Sequence, residues 1–325
     1  MDVDSPLSRV LEALRAAAEP TRLRLIAICA AGEWTVTELT QIVGQSQPRV
    51  SRHLKVLAEA GLLDRFREGN WVFYRLADRT EGIARRLVDL LPPAPELERD
   101  QRRLEDIRAE RQRRARVYFD EHAAEWEQVR RMTVADEEVD RALSELLDEE
   151  RPATMIDIGT GTGHMLEVMA SRLRSGLGID LSLEMLGVAR ANLEAAGVRN
   201  CQLRHGDMYQ LPVPDRTFDA AVLHQVLHFA EDPAAVIREA ARVLAPGGRL
   251  IIVDLRTHGI ETLRDSFAHR RLGFGDEEVA AWVTEAGLEF TVAARLGGKV
   301  TETVVWVGRG AAAEAALPAP RRAVA

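Results

Sequence analysis

The sequence predicts two domains of different class: an α+β domain built on a helix-turn-helix and a β-hairpin, then an α/β domain with a mostly parallel sheet. Three observations predict this. At 325 residues the chain exceeds what one core of ordinary domain size uses, and its 46% hydrophobic content is globular. The first 92 residues read as short helices and one hairpin, whereas from Pro152 short apolar runs alternate with helical stretches. The stretch Met155–Gly163, "MIDIGTGTG", carries an apolar run ending in an acid onto three glycines and a helix, the form in which a parallel α/β sheet meets a nucleotide-like ligand.

Composition narrows the function classes. The net charge is −8, but residues 1–92 hold thirteen Arg/Lys and twelve Asp/Glu, a net of +1 that leaves −9 for the rest. A nucleic-acid role for the first domain is therefore open. Cys29 and Cys201 stand alone without C-x-x-C spacing, which argues against a disulfide framework or a zinc site, and no metal is expected. The N-terminus lacks an apolar signal core and no apolar run approaches a membrane span, so a cytoplasmic protein with no membrane partner is expected. Lys55 and Lys299 are the only lysines. Arginine carries the basic charge, in the first place as genome composition, although it is also the better partner for guanine edges.

The first domain is expected over residues 5–92. From Pro6 to Glu19, Leu7, Val10, Leu11 and Leu14 recur at helical spacing. Pro20 closes that helix and opens "PTRLRLIAICAAG". Thr35 then caps the short helix "TVTELTQIVG", with Glu38 three residues on as in a capping box. After a tight turn comes "SQPRVSRHLKVLAEAG", whose Val50, Leu54 and Leu57 face the core and whose polar residues line the front. Two short helices about a Gly-containing turn fit a helix-turn-helix. "LLDRFREGNWVFYRLA" alternates on either side of Gly69-Asn70, a hairpin that follows the reading helix as a wing.

Taken together, "LRAAAEPTRLRLIAIC", the reading helix and the wing resemble the ArsR/SmtB family of winged-helix transcriptional repressors across nearly the whole first domain. The resemblance implies a homodimer on double-stranded operator DNA, joined through the first and last helices. In "RTEGIARRLVDLLP" the apolar seam would be Ile83, Leu87 and Leu91. The DNA-binding candidates are Ser46, Gln47, Arg49, Ser51, Arg52, His53 and Lys55 on the reading helix, with Arg65 and Arg67 on the wing. Gln and Arg pair bidentately with base edges, and the remaining groups suit phosphates. Metal-sensing members carry Cys-x-Cys at the third helix or His and Asp on the last. Here those positions are Thr35 and Thr37, and the last helix has no histidine, which moves the question of the inducer to the second domain.

"PPAP" at 92–95 breaks the chain, and the Arg/Glu-rich segment that follows is expected as an exposed connecting helix over 93–117, supported by i,i+4 pairs such as Glu98/Arg102 and Glu110/Arg114. "RVYFDEHAAEWEQVRR" then gathers Tyr118, Phe119 and Trp126, either as a lid over a ligand or as anchors docking the helix to the sheet. The second domain is expected over 118–309. Its strand candidates are "TMIDIG", "GLGID", "CQLRHGD", "FDAAVLHQVL" and "RLIIVDL", and "LEFTVAARLGGKVTETVVWVGR" closes it as two strands about Gly297-Gly298. Residues 310–325, rich in Ala and Pro, are expected as a disordered tail.

Spacing selects the ligand. Gly159, Gly161 and Gly163 miss the G-x-G-x-x-G of dinucleotide folds, and Asp157 ahead of them would repel a pyrophosphate but suits an ammonium group. About twenty residues on, Asp180 ends a second apolar run, where a carboxylate accepts ribose hydroxyls. A nucleoside joined to an amino acid satisfies both acids: S-adenosylmethionine or its product, S-adenosylhomocysteine. These motifs resemble the class I (Rossmann-like) S-adenosylmethionine-dependent methyltransferases over nearly all of residues 115–308. The resemblance implies cofactor contacts from Asp157, Gly159, Thr160, Gly161, Gly163, Asp180, Leu181, Asp207, Met208 and His224. His224 and His228 are either bases or pocket lining. Methylation of nucleic acid is not supported, because "LHQVL" replaces the Asn/Asp-Pro-Pro-aromatic motif and Cys201 lies at the wrong strand for a cytosine C5 nucleophile.

The expectation is thus a DNA-binding regulator, in the sense of a repressor, with an S-adenosyl ligand as effector. It is similar to ArsR-family repressors of methionine-cycle genes that respond to S-adenosylhomocysteine. The alternative is an active small-molecule methyltransferase, with an arsenic, quinone or thiol acceptor, whose winged helix controls its own operon.

Overall fold

The computed structural model describes residues 6–68, 71–77, 82–132, 135–148, 152–261, 270–298 and 301–311. The chain forms two compact units, Met1–Asp120 with Leu183–Arg199, and Glu121–Ser182 with Asn200–Ala325. This partition differs from the expected divisions at 92/93 and 117/118, and the expected tail lies outside the described residues beyond 311.

The first unit opens with α1 (Pro6–Ala17) and α2 (Pro20–Ala30), followed by the two-residue β1 (Trp34–Thr35), α3 (Val36–Val43) and α4 (Gln47–Glu59). The hairpin strands β2 (Leu63–Glu68) and β3 (Trp71–Leu76) pair antiparallel, and α5 (Ile83–Asp89) follows. The capping box is present: Glu38 N–H donates to Thr35 Oγ1 at 3.2 Å and Thr35 N–H to Glu38 Oε2 at 2.8 Å. Val50, Leu54 and Leu57 are fully buried as expected. β1 adds a third strand to the wing, Trp34 opposite Tyr74, an element too short for sequence periodicity to reveal. In α1 the buried face is Ala13, Ala16 and Ala17, while Leu7 and Leu14 are 65% and 46% exposed. Their helical recurrence marks an outward apolar face.

The connecting helix departs from expectation. α6 runs unbroken over Pro95–Met132; Glu98 and Arg102 are exposed and the expected Glu110–Arg114 pair forms at 2.9 Å, but one face of its first half is docked. Leu104 and Asp100 are buried, and Asp100 accepts two bonds of 2.6 Å from Arg24. Arg103 donates to the Ile42 carbonyl at 3.0 Å and Arg108 to the Ala31 carbonyl at 2.7 Å. These are carbonyls at helix C-termini, which lack an intrahelical donor, and guanidinium forks satisfy them. The mixed charge is therefore partly an anchoring surface. The side chains of Tyr118, Phe119 and Trp126, expected as lid or anchors, lie outside the described ones.

The second unit contains α7 (Asp136–Asp148), β4 (Thr154–Ile158), α8 (His164–Met169) and β5 (Ser175–Asp180). α9 (Leu183–Ala195) follows β5 in the chain but belongs to the first unit. The second unit resumes with β6 (Cys201–His205), β7 (Phe218–His224), α10 (Pro233–Arg242), β8 (Leu244–Leu255), α11 (Asp276–Glu285), β9 (Glu289–Gly297) and β10 (Glu302–Arg309). Its seven-stranded sheet has the order β6-β5-β4-β7-β8-β10-β9. β6 through β8 are parallel and the closing hairpin is antiparallel. The apolar runs of β4, β7 and β8 are buried because helices cover a parallel sheet. Strand order reverses between β4 and β7, and the crevice beyond their carboxyl ends is the place where open parallel sheets of this kind take a ligand. No helix among the described residues is long and apolar enough to cross a membrane.

Candidate functional site

Two sites emerge, one in each unit. On α4, Ser46, Gln47, Arg49, Arg52 and Lys55 are exposed, while Ser51 and His53 are half-buried. Ser46, Pro48, Arg49, Arg52 and His53 line one concavity at its N-terminal half. His53 Nδ1 is 3.7 Å from Glu19, and Lys55 pairs with Glu59 at the same distance. Arg65 and Arg67 are both exposed on β2, two residues apart and hence on one face of the wing. Phe66 between them stacks on Phe73, with ring centroids 5.5 Å apart. The helix that presents the guanidinium groups is thus held by its own buried Val50, Leu54 and Leu57.

In the second unit the "MIDIGTGTG" turn lies at the end of β4. Asp157 is 1% exposed, and its Oδ2 accepts from Thr160 Oγ1 at 2.5 Å while its Oδ1 has no partner among the described residues. Burial pushes its carboxyl up to about 7, against the Thr160 bond, with Asp180 adding to the rise. A buried oxygen with no donor costs free energy until a ligand supplies one, and a ligand ammonium would do so. Gly159 sits at φ +73°, and a Cβ there would stand 2.3 Å from Val226 Cγ2. Gly161, at φ +53°, has nothing among the described residues beyond its chain neighbours within 4 Å of where its Cβ would be. The first glycine allows close packing and the second leaves a cradle open.

Glycines that open onto a helix are expected to present backbone N–H groups to a ligand, but here Gly159 and Thr160 donate to the Ile179 carbonyl at 2.8 and 2.9 Å, and Gly163 donates to the Thr160 carbonyl at 2.9 Å. Gly161 N–H donates to Asp180 Oδ2 at 2.8 Å, and Ser182 N–H to Asp180 Oδ1 at 2.8 Å. The helix expected from His164 follows as α8, six residues long. The site is acidic and suits a cationic, hydroxyl-bearing ligand. A carboxylate has about four acceptor positions, so Asp180 retains capacity beyond its two bonds.

Leu181, after Asp180, is 66% exposed. Asp207 is exposed and its carboxylate accepts from Tyr209 N–H at 2.9 Å, with Met208 half-buried beside it. His224 is the last residue of β7. Gln225 follows in the left-handed region at φ +54°, rare for a residue with a side chain, and its N–H donates to the Val253 carbonyl at 2.8 Å. It turns the chain so that Val226 covers Gly159, a role no periodicity or motif reveals.

His228 and His224 separate in the structure. His228 is 3% exposed, and its Nδ1 lies 2.8 Å from Oδ1 of the fully buried Asp254 on β8. Asp254 also accepts from the His228 and Leu255 N–H groups, at 3.2 and 2.8 Å. A carboxylate at Nδ1 holds the proton there and makes Nε2 the basic nitrogen. His258 lies near this pair; burial lowers its basicity, Asp254 opposes that, and His228 adds to it. Asp254 was not a sequence candidate, although "IIVDL" places an acid at a strand end just as "MIDIG" does. Among the described residues no group of three or more His, Cys, Asp or Glu could hold a metal ion.

Comparison with known proteins bears on the two domains. The model of the bacterial regulatory protein family arsR matches residues 19–65, and that of a methyltransferase domain matches residues 156–252. An uncharacterized methyltransferase, YcgJ of Bacillus subtilis, is 34% identical over 100 residues, which is 31% of this chain and 40% of that protein. An arsenite methyltransferase of Aquipseudomonas alcaligenes is 36% identical over 111 residues, 31% of this chain and 32% of that protein. This chain therefore spans less than half the length of either relative. The crystal structure of YcgJ superposes with a TM-score of 0.47 at 19% identity, over 53% of this chain and 98% of that one.

Proposed function

We propose that this chain, which carries an ArsR-family DNA-binding domain ahead of a methyltransferase domain, is a transcriptional repressor whose operator affinity answers to an S-adenosyl ligand. The observation that carries this reading is the place of α9. It begins at Leu183, three residues after Asp180, and it belongs to the compact unit that holds the reading helix and the wing. A ligand that reorients Asp180 therefore acts at the root of a helix built into the DNA-binding unit.

The residues fit the ligand. Asp157 Oδ1 is the buried oxygen that its ammonium would satisfy. Asp180 would take the ribose hydroxyls, Asp207 and the Met208 N–H the adenine, and the open space at Gly161 the chain between them. Bound S-adenosylmethionine supplies an electrophilic methyl group on a sulfonium. Arg49, Arg52 and Lys55 face outward to meet DNA. Of the expected seam, Ile83 and Leu87 pack against the first unit's own core, so the apolar groups that support a homodimer joined through these helices are the exposed Leu7 and Leu14 on α1 and Leu90, 77% exposed after α5. A cytoplasmic location accords with this role.

Coupling demands that the ligand bind the DNA-competent and DNA-incompetent states with different affinity. The test is operator affinity with and without saturating S-adenosylhomocysteine or S-adenosylmethionine. An affinity unchanged by both ligands rejects the reading.

A second reading rests on the His228–Asp254 pair. An imidazole oriented by a buried carboxylate is a proton acceptor, and it supports methyl transfer to a small acceptor bearing a dissociable proton. Arsenic is the weaker acceptor candidate. Burial raises the Cys29 thiol well above its usual range and that of Cys201 to about 11, so neither offers a thiolate to a soft ion. Transfer of labelled methyl to catechol or dithiothreitol, abolished in His228→Ala, would support this reading; no transfer to either would count against it.

A further inference from the structure

α9 is held in the first unit by Gln112 of α6, whose Nε2 donates to the Ala191 carbonyl at 2.6 Å, and by two charged side chains of its own, Arg190 and Glu194. Arg190 is only 8% exposed, and its guanidinium carbon stands 4.1 Å from the centroid of the Phe73 ring. Phe73 lies on wing strand β3 and stacks on Phe66 of β2, between Arg65 and Arg67. Arg190 also lies 3.6 Å from Glu33, which itself lies 3.7 Å from Arg75 of β3. The second side chain is Glu194, which accepts from Arg111 of α6 at 2.7 Å. Arg111 donates as well to both carboxylate oxygens of Glu38, at 3.0 and 2.9 Å, and Glu38 is the acid of the α3 capping box.

These contacts differ in what they touch. The Glu194–Arg111–Glu38 chain of half-buried groups ends on the cap of the first helix of the helix-turn-helix. The Arg190–Phe73 contact ends on the hairpin, whose outward arginines are the wing's DNA-facing groups. A desolvated guanidinium over a ring is a short-range, orientation-dependent attraction. Rotation or translation of α9 by an ångström or two changes it directly, and with it the lean of the hairpin.

We propose that the Arg190–Phe73 contact is the element through which the S-adenosyl site sets the position of the wing and hence operator affinity. This rests on the regulator reading above. Asp180 and Leu183 are separated by two residues, so a change in how Asp180 holds the Gly161 and Ser182 N–H groups is delivered to the first turn of α9. Arg190 sits two turns further along the same helix. The connecting helix α6 anchors α9 through Arg111 and reaches the first unit at Arg24, at helix-end carbonyls, at the Glu38 cap and at the Trp34 ring of β1, 4.7 Å from the Arg111 guanidinium carbon, whereas the Arg190 contact falls directly on the hairpin strand β3.

The experiment uses the full chain and an operator obtained by selection from random duplexes. Calorimetry with S-adenosylhomocysteine gives ligand affinity, and fluorescence anisotropy gives DNA affinity with and without it. The wild type is expected to change its DNA affinity at least about fivefold on saturation. Arg190→Met, which retains the apolar stem and removes the guanidinium, is expected to bind S-adenosylhomocysteine within about twofold of wild type, while its DNA affinity no longer responds. Phe73→Leu removes the ring from the opposite side and is expected to do the same. Hydrogen exchange of the wild type supplies a readout free of substitution: ligand should alter exchange in residues 63–76. A full ligand response in both variants, or unaltered exchange in the hairpin, overturns the proposal. A wild type that binds the ligand but shows no DNA response instead removes the regulator reading itself.

Discussion

Asp157 offers a quantitative test of the cofactor assignment. Its carboxyl is buried, has one partnered and one unpartnered oxygen, and is pushed up to about 7. A cationic ammonium binds the ionised form, so ligand affinity should follow the ionised fraction. Between pH 8 and pH 5.5 a carboxyl with pKa about 7 passes from roughly 90% to roughly 3% ionised, a loss of about 30-fold in affinity. The ligand's own amino group stays protonated over this range. Near pH 7 binding should also release about half a proton, because the cation pulls the carboxyl back toward its ordinary value. Titration calorimetry with S-adenosylhomocysteine, in two buffers of different ionisation enthalpy, measures both quantities. The linkage to stability has a defined sign. Since the folded pKa lies above the unfolded value of 3.8, the carboxyl's stabilising contribution is complete below about pH 4 and lost as pH rises through 7. Ligand-free Asp157→Asn should therefore resist urea better than wild type at pH 8, by an amount on the order of 4 kcal/mol, while losing ligand affinity. An affinity that is flat from pH 8 to 5.5, with no proton released, would refute the ammonium contact.

Four further expectations follow from the structure. Gly159→Ala places a methyl 2.3 Å from Val226 Cγ2 at positive φ and should cost about 2–5 kcal/mol in denaturant titration. Gly161→Ala meets no atom within 4 Å and should cost only about 1–2 kcal/mol while abolishing S-adenosylhomocysteine binding; full ligand affinity in that variant would contradict the cradle. Arg49→Ala should weaken operator binding by about 1–3 kcal/mol if the guanidinium reads a base, whereas equal loss on random duplex would make it a phosphate contact. Leu14→Asp combined with Leu90→Asp should raise the dimer dissociation constant about 100-fold or more, equivalent to about 3 kcal/mol, as read by sedimentation; an unchanged dimer would place the interface elsewhere.

The sequence was most legible where the physics is local. The capping box at Thr35 and Glu38, the buried stripe of Val50, Leu54 and Leu57, and the strand-end acids Asp157 and Asp180 all stand where spacing put them. What it did not reveal depends on partners distant in the chain. The direction of the α1 leucines is decided by which face the other helices cover, since α1 can bury its alanines instead. Arg111 and Arg190 look like ordinary helix-surface charges until Glu38, Glu194 and Phe73 meet them from 73, 83 and 117 residues away. The fate of the glycine-loop N–H groups turns on the Ile179 carbonyl and on Asp180, both supplied by the neighbouring strand. Asp254 carried a readable signal, an acid closing an apolar run, but its worth appeared only with His228 beside it.

The most direct measurement is operator affinity across a titration with S-adenosylhomocysteine, repeated with S-adenosylmethionine, on the intact protein at fixed salt. The account predicts a saturable change of about fivefold or more for at least one ligand, lost in Asp180→Ala. Equal affinity for DNA at every concentration of both ligands, in a protein that binds them, would contradict the regulator and leave a methyltransferase tethered to an independent DNA-binding domain.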